Sequence, residues 1–178
     1  MQETEHLIKE TSKEVKETAR EVRKTAKQLK ETDKLVGKLS NRFGELAEHL
    51  VVPNIKEKFK TRGFTFEEIS PNKRIEDAFG NRIVEIDILL ENSDTVMVVE
   101  VKAKPGEKDV DEHIDRMNLL RRRADARQDK RKFYGSIAGA IINNEVRNYI
   151  LKSGFYVIEQ TGDTVKINTP KGFKPREW

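Results

Sequence analysis

The sequence predicts an α/β fold, with a mixed sheet flanked by helices and a long separate helix before it. Three observations indicate this. The first 39 residues repeat every seven positions, whereas the later residues alternate between helical spacing and short strand-like runs. Charged residues make up 37% of the 178 residues, more than one small globule usually carries, which indicates an elongated and solvated part. We therefore expect a coiled-coil helix over residues 1–39 and an α/β domain over residues 40–178.

The N-terminal repeat consists of the seven-residue units ETEHLIK, ETSKEVK, ETAREVR, KTAKQLK and ETDKLVG. Threonines at positions 4, 11, 18, 25 and 32 alternate, at spacings of four and three, with the aliphatic series Ile8, Val15, Val22, Leu29 and Val36. This is the spacing of a coiled-coil seam. The aliphatic series can occupy position a, with threonine at d, or position d, with Ser12, Ala19, Ala26 and Asp33 at a. Both registers predict a homo-oligomer, and a solitary helix is the alternative.

The elements of the domain follow from local signals. Gly37 breaks the repeat, and Ser40-Asn41 can cap a new helix that is interrupted at residues 52–54 and ends at Gly63. Glycine, proline and asparagine clusters then separate strand and helix patterns. We expect strands at residues 64–69, 82–90 and 95–103, a helix around 110–124, a strand at 133–142, a helix at 144–153, a strand at 155–159 and a short late strand at 164–168. The predicted order is αβββαβαβ before that late strand.

The second and third predicted strands carry charge where a sheet core should be apolar. Alternation places Asp87 on one face of residues 82–90 and Val84, Ile86, Ile88 and Leu90 on the other. It places Glu100 and Lys102 on one face of residues 95–103, near Asp87 if the strands form a hairpin. Such a cluster is costly unless it is neutralised, and Mg²⁺ prefers carboxylate and backbone oxygens. The pattern indicates a Mg²⁺ or Mn²⁺ site. The alternative is a Glu100–Lys102 ion pair on one face at a strand end, with Asp87 in an exposed position.

These residues resemble the signature of the PD-(D/E)XK nuclease superfamily, which is an acid on one strand and acid-x-lysine on the next. Here the signature is Asp87, twelve intervening residues and Glu100-Val101-Lys102, within EIDILLENSDTVMVVEVKAKP. The order αβββαβ from about residue 41 matches the family core, although Ile86 replaces the named proline. The resemblance covers residues 41–159 and extends to small prokaryotic members.

That resemblance implies a restriction-endonuclease-like core and a phosphodiester-cleaving site. Asp87 and Glu100 would be metal ligands, and Lys102 would be the catalytic lysine. Many members add an acid from the first core helix, for which Glu45 is the candidate and Glu48 the second choice.

A basic run follows the acidic strands. It comprises Arg116, Arg121, Arg122, Arg123, Arg127, Lys130, Arg131 and Lys132, against Asp125 and Asp129. A basic helix end beside a metal site suits a phosphate backbone, and a solvated helix C-terminus accounts for it equally well. We expect Arg116, Arg121 and Arg122 to bind substrate. His113 lies one turn from Arg116 and is expected to join them, with a structural role as its alternative.

The sequence therefore predicts a metal-dependent nuclease, acting on DNA in preference to RNA, that assembles through its heptads. A non-catalytic adaptor that binds nucleic acid or protein is the alternative, and a purely structural oligomeriser is a third. The pI near 9.2 and the net charge of +4 lean toward a polyanion partner. No apolar run is long enough to span a membrane, and the absence of cysteine fits a cytoplasmic protein.

Overall fold

The computed structural model describes the backbone of residues 2–162 and 164–178. Side chains are described for residues 4, 6, 8, 10–35, 52, 54–162 and 164–178. The chain divides into two compact units, Met1–Asn41 and Arg42–Trp178. Across the described residues, no helix combines the length and the apolar character that crossing a bilayer requires.

The first helix is longer than the sequence indicates. Helix α1 spans Gln2–Lys60, so the breaks expected at Gly37 and at residues 52–54 are wrong. A glycine costs about 1 kcal/mol relative to alanine in a helix, which is too little to end a long repeat of good helix formers. Proline costs about 3 kcal/mol, but complete burial of Ile55 and Phe59 soon after Pro53 offsets a cost of that size.

The aliphatic series of the first unit faces solvent in the single chain. Ile8, Val15, Val22 and Leu29 are each between 61% and 65% exposed. The hydroxyls of Thr18 and Thr32 donate to backbone carbonyls one turn earlier, at 2.9 Å. The side chain of Val36 lies outside the described residues. The apolar stripe is therefore available to a partner, and its pairing in a coiled coil stays a prediction.

The second unit is built on a six-stranded sheet in the order β1-β2-β3-β4-β5-β6. The β3–β4 and β4–β5 pairs are parallel and the other pairs antiparallel. The predicted mixed sheet flanked by helices is confirmed, and it is compatible with a restriction-endonuclease-like fold. Its strands are β1 Glu68–Glu76, β2 Arg82–Glu91, β3 Thr95–Lys102, β4 Lys132–Gly139, β5 Tyr156–Thr161 and β6 Thr164–Ile167, and its remaining helices are α2 Glu107–Ala126 and α3 Asn144–Lys152.

The first strand lies later in the chain than expected. Residues 64–69 were expected to form it, but Phe64 and Phe66 instead pack edge-on against Phe59, with ring centroids 6.0 and 5.8 Å away. Strand β1 then runs through Pro71, at residues that were expected to end a strand. An edge strand tolerates proline because one of its sides makes no ladder hydrogen bonds.

Each face of the sheet is covered by helices. Ile55 and Phe59 at the end of α1 pack on one face with Ile88, Leu90 and strand residues from β3 to β6. Helices α2 and α3 cover the other face. Their buried contacts are Val110, Met117, Leu120 and Ala124 from α2, and Val146 and Ile150 from α3.

Strand β2 changes its alternation at Asp87. Ile86 packs with Leu89 on the α2 side, whereas Ile88 packs on the opposite side, so the expected shared face of residues 84, 86, 88 and 90 is wrong. In β1, Asn72 has a φ of 48° between the pairs Pro71↔Ile88 and Lys73↔Ile86. Pairing of β2 with β3 stops at Ile88↔Val99. Asp87 is therefore the first β2 residue beyond that ladder, where β2 and β3 separate.

Candidate active site

A cleft of about 630 Å³ lies where β2 and β3 separate, with α2 as its third wall. It contains five of the residues singled out from the sequence, namely Asp87, Glu100, Lys102, Arg116 and Arg122. The other lining residues are Arg82, Ile83, Val84, Glu85, Glu112, Asp115 and Leu119. The two acids and the lysine of the motif therefore line the same cleft as two of the arginines.

Glu100 is the most enclosed acid of the cleft, with only 4% of its surface exposed. Its Oε1 lies 3.0 Å from Lys102 Nζ, and its Oε2 accepts a hydrogen bond from the Arg116 guanidinium. Burial by itself would lower the pKa of Lys102, but the Glu100 carboxylate, with Asp87 behind it, raises that pKa above its usual value. Lys102 is therefore held firmly in its charged form.

Asp87 is tied to the neighbouring strand by its side chain. Its Oδ2 accepts a hydrogen bond from the Val101 backbone N–H at 2.7 Å. Burial raises the pKa of Asp87 to about 6, and the charge of Glu100 adds to that rise. The Val101 hydrogen bond, Lys102 and Arg116 act in the opposite direction. Asp87 and Glu100 are thus close enough to repel each other, which is the situation that a bound cation relieves.

The alternative of a Glu100–Lys102 ion pair with an exposed Asp87 describes this arrangement only in part. Lys102 and Glu100 do form a pair, but Glu100 is buried and Asp87 is partly enclosed. The pair instead belongs to a four-residue cluster in which Asp87 and Glu100 face Lys102 and Arg116.

The donor set fits a hydrated divalent cation. Within the described part of the chain, no group of three or more histidine, aspartate, glutamate or cysteine side chains is placed to hold a metal ion. Mg²⁺ needs fewer, since it usually binds through one or two carboxylates and keeps several waters or substrate phosphates as its other ligands. Asp87 and Glu100 would hold it here. The side chains of Glu45 and Glu48 lie outside the described residues.

His113 does not face the cleft. It is completely buried, with its ring centroid 4.7 Å from that of Phe155. Burial lowers the pKa of His113 to about 3, and the charge of Arg116 adds to this effect, so the imidazole is neutral. Its Nδ1 lies 3.3 Å from Arg116 Nη1 and accepts a hydrogen bond, because a guanidinium only donates. The structure therefore places His113 outside the cleft lining and in contact with Arg116, which agrees with the structural alternative for this residue.

Arg121, which was expected to bind substrate, does not line the cleft. Its guanidinium donates to the backbone carbonyls of Asp129 and Arg131, at 2.5 and 2.7 Å. It also pairs with Asp125 and lies 4.9 Å above the ring of Phe133. These contacts fasten the loop between α2 and β4. Arg122, the next residue, is exposed and lines the cleft.

Sequence reasoning missed the acidic residues on the α2 side of the cleft. Glu112 and Asp115 line it together with Arg116, Leu119 and Arg122. These positions are three or four residues apart and so share one helix face. Once Arg116 is expected at the site, this helical spacing predicts that Glu112 and Asp115 also line it.

The fold is a mixed α/β fold with one six-stranded sheet, and the cleft lies where β2 and β3 separate. No family model and no curated protein matches the chain. Among solved structures, the chain is similar to the small subunit of the heterodimeric restriction endonuclease R.BspD6I. The sequence identity is 25%, the match covers 67% of this chain and 69% of that chain, and the TM-score is 0.32. A similarity this weak assigns no role to any residue of the cleft.

Proposed function

We propose that the chain is a metal-dependent phosphodiester hydrolase acting on nucleic acid, with DNA favoured over RNA. The observation that carries the proposal is the meeting of Asp87 and Glu100 with Lys102, Arg116 and Arg122 in one cleft. Two carboxylates suit a divalent cation, and three cationic groups suit a phosphate backbone.

Each residue of the cleft then has a distinct task. Asp87 and Glu100 would hold Mg²⁺ or Mn²⁺, which when bound makes a water easier to deprotonate and offsets phosphate charge. Hydrolysis adds a water oxygen to phosphorus and breaks one P–O ester bond. Lys102 Nζ lies 3.0 Å from Glu100 Oε1, so its charge would stabilise the charge that develops on the phosphate.

The exposed part of the cleft has cationic side chains that suit the phosphate backbone of a nucleic-acid strand. Arg122 is exposed at the α2 wall, and Arg82 is exposed on β2. Arg82 is paired with Glu85, with Nη1 and Oε2 2.6 Å apart, whereas Arg122 faces the cleft as a cation available to a phosphate. Phosphate contacts of this kind give affinity without sequence preference.

The adaptor alternative rests on one specific observation. Both cations, Lys102 and Arg116, pair with Glu100, so the more buried of the two acids is neutralised without a metal ion. An adaptor would use the same cationic groups to bind a polyanion and would carry out no hydrolysis. Cleavage is the observation that separates the two functions.

Assembly is proposed to occur through α1. Ile8, Val15, Val22 and Leu29 recur every seven residues and are exposed in the single chain. A stripe with that period is buried most completely against a second copy of itself. We therefore propose a homo-oligomer whose stability is limited by the threonine or alanine that fills the other half of the seam.

The test is cleavage of duplex and single-stranded DNA, and of RNA, by the purified chain with Mg²⁺ or Mn²⁺. The expected result is cleavage that Asp87→Asn and Glu100→Gln each abolish and that Glu159→Gln, an acid outside the cleft, retains. Cleavage that persists in excess chelator, or in Asp87→Asn, contradicts the proposal.

A further inference from the structure

The two oxygens of Glu100 are each occupied by a cation. Lys102 Nζ lies 3.0 Å from Oε1, and the Arg116 guanidinium donates to Oε2. Glu100 is 4% exposed, so solvent does not screen it, and it needs these partners. A divalent ion that binds Glu100 must therefore take the place of a cationic group, because adding two charges beside both cations is strongly repulsive at these distances.

Lys102 belongs to the same strand as Glu100. It lies two residues after Glu100 on β3, and its backbone pairs with Gly139 in the ladder between β3 and β4. Its Nζ lies 3.0 Å from Glu100 Oε1. Lys102 therefore neutralises Glu100 from within β3, without a contribution from another element.

Arg116, by contrast, belongs to a different element. It reaches Glu100 from α2 across the cleft, whose volume of about 630 Å³ lies open beside it. Its second contact is the neutral ring of His113, at 3.3 Å, which supplies no charge. A guanidinium that leaves Glu100 needs another anion, and a phosphate accepts it through two parallel hydrogen bonds.

We propose that Arg116 is an exchangeable counter-ion. It neutralises Glu100 when no divalent ion is bound, and it transfers to a backbone phosphate when the ion takes Glu100. This inference rests on the proposed function, because it needs a metal site at Asp87 and Glu100. Metal and nucleic acid then favour each other's binding, since each relieves the unpaired charge that the other creates, and the coupling is reciprocal.

The experiment measures Mn²⁺ affinity by calorimetry on the full chain, without cleavage as a readout. Wild type, Arg116→Gln and Arg116→Lys are compared with Lys104→Gln, an exposed cationic residue that does not line the cleft. Each is titrated alone and with a DNA duplex whose linkages are phosphorothioates. A thermal melt of each variant shows that it is folded.

The proposal expects Arg116→Gln to bind Mn²⁺ about tenfold more tightly than wild type in the absence of DNA, within the usual range of coupling energies. DNA should tighten Mn²⁺ binding to wild type and to Lys104→Gln, but not to Arg116→Gln. Arg116→Lys should resemble wild type.

Equal Mn²⁺ affinity of wild type and Arg116→Gln overturns the inference. The proposed metal site at Asp87 and Glu100 is not contradicted by that result. Weaker binding by Arg116→Gln also overturns it, because Arg116 would then only hold Glu100 in place. If no variant binds Mn²⁺ with or without DNA, the proposed metal-dependent function fails, and the exchange inference fails with it.

Discussion

The backbone N–H of Val101 donates a hydrogen bond to Asp87 Oδ2 at 2.7 Å, one position past the last residue pair between β2 and β3. The side chain of Asp87 thus continues the contact between strands that the backbone ladder has ended. It fixes the carboxylate beside Glu100 while leaving space in front of both acids. The point where β2 and β3 separate is therefore also the point where Asp87 is held at the cleft.

The first prediction concerns pH and stability without metal. The folded pKa of Asp87, about 6, lies above its ordinary value of 3.8, so the folded state holds this proton more tightly than the unfolded chain. That contribution to stability is fully present below pH 3.8 and is lost as the pH rises through about 6. In chelator at pH 7, Asp87→Asn should be more stable than wild type by roughly 1–2 kcal/mol in urea unfolding.

A matched control for this prediction is Asp129→Asn. The side-chain hydrogen bond from Arg131 lowers the pKa of Asp129, so its contribution is present above the ordinary pKa and is lost as the pH falls. This variant should be less stable than wild type at pH 7. An Asp87→Asn variant that is destabilised to the same degree would show that Asp87 carries no unfavourable charge.

The second prediction concerns the chemical role of Lys102. Lys102→Ala should lower the single-turnover cleavage rate by about 10²–10³-fold, because a charge preorganised toward the phosphate is lost. Lys104→Ala, an exposed lysine two residues further on, should keep the wild-type rate. Equal rates for Lys102→Ala and wild type would remove Lys102 from the mechanism.

The third prediction separates two neighbouring arginines. Arg122→Ala should weaken binding of duplex DNA and should reduce the slope of log affinity against log salt by about 1, because one phosphate contact is lost. Arg121→Ala should lower the melting temperature, because the carbonyls of Asp129 and Arg131 lose their donor. An unchanged salt slope in Arg122→Ala would place the DNA elsewhere.

The fourth prediction concerns assembly. Val22 is mid-repeat and lies at the seam in both registers, so Val22→Asp should convert the oligomer into a smaller species in light scattering. A chain shortened to begin at Ser40 should show the same smaller species. Lys24→Gln, off the seam in both registers and with an equal change in charge, should keep the oligomer. If the shortened chain keeps the full-length state, the heptads do not mediate assembly.

The sequence alone predicted the meeting of Asp87 with Glu100 because strand alternation and a three-residue hairpin loop at residues 92–94 restrict where two adjacent strands can place their side chains. The sequence did not predict that Ile86 and Ile88, on either side of Asp87 in β2, pack on opposite faces of the sheet. In β1, the positive φ of Asn72 lies between the residues paired with Ile88 and Ile86, and regular strand alternation does not anticipate such a feature.

The sequence also did not predict which polar side chains of α2 line the cleft. Histidine and arginine often bind substrate, but His113 is completely buried, and the Arg121 guanidinium donates to a backbone carbonyl. Both depend on tertiary contacts. The continuity of α1 through Pro53 was missed for the same reason, since burial of Ile55 and Phe59 outweighs the local signal.

The most direct test of the central claim is a crystal structure of the full chain grown with Mn²⁺, with anomalous data collected at the manganese edge. We expect one anomalous peak about 2.1 Å from a carboxylate oxygen of both Asp87 and Glu100, with water completing its coordination. Absence of a peak at saturating Mn²⁺, or a peak that neither Asp87 nor Glu100 touches, would contradict the claim that these two acids form a metal site.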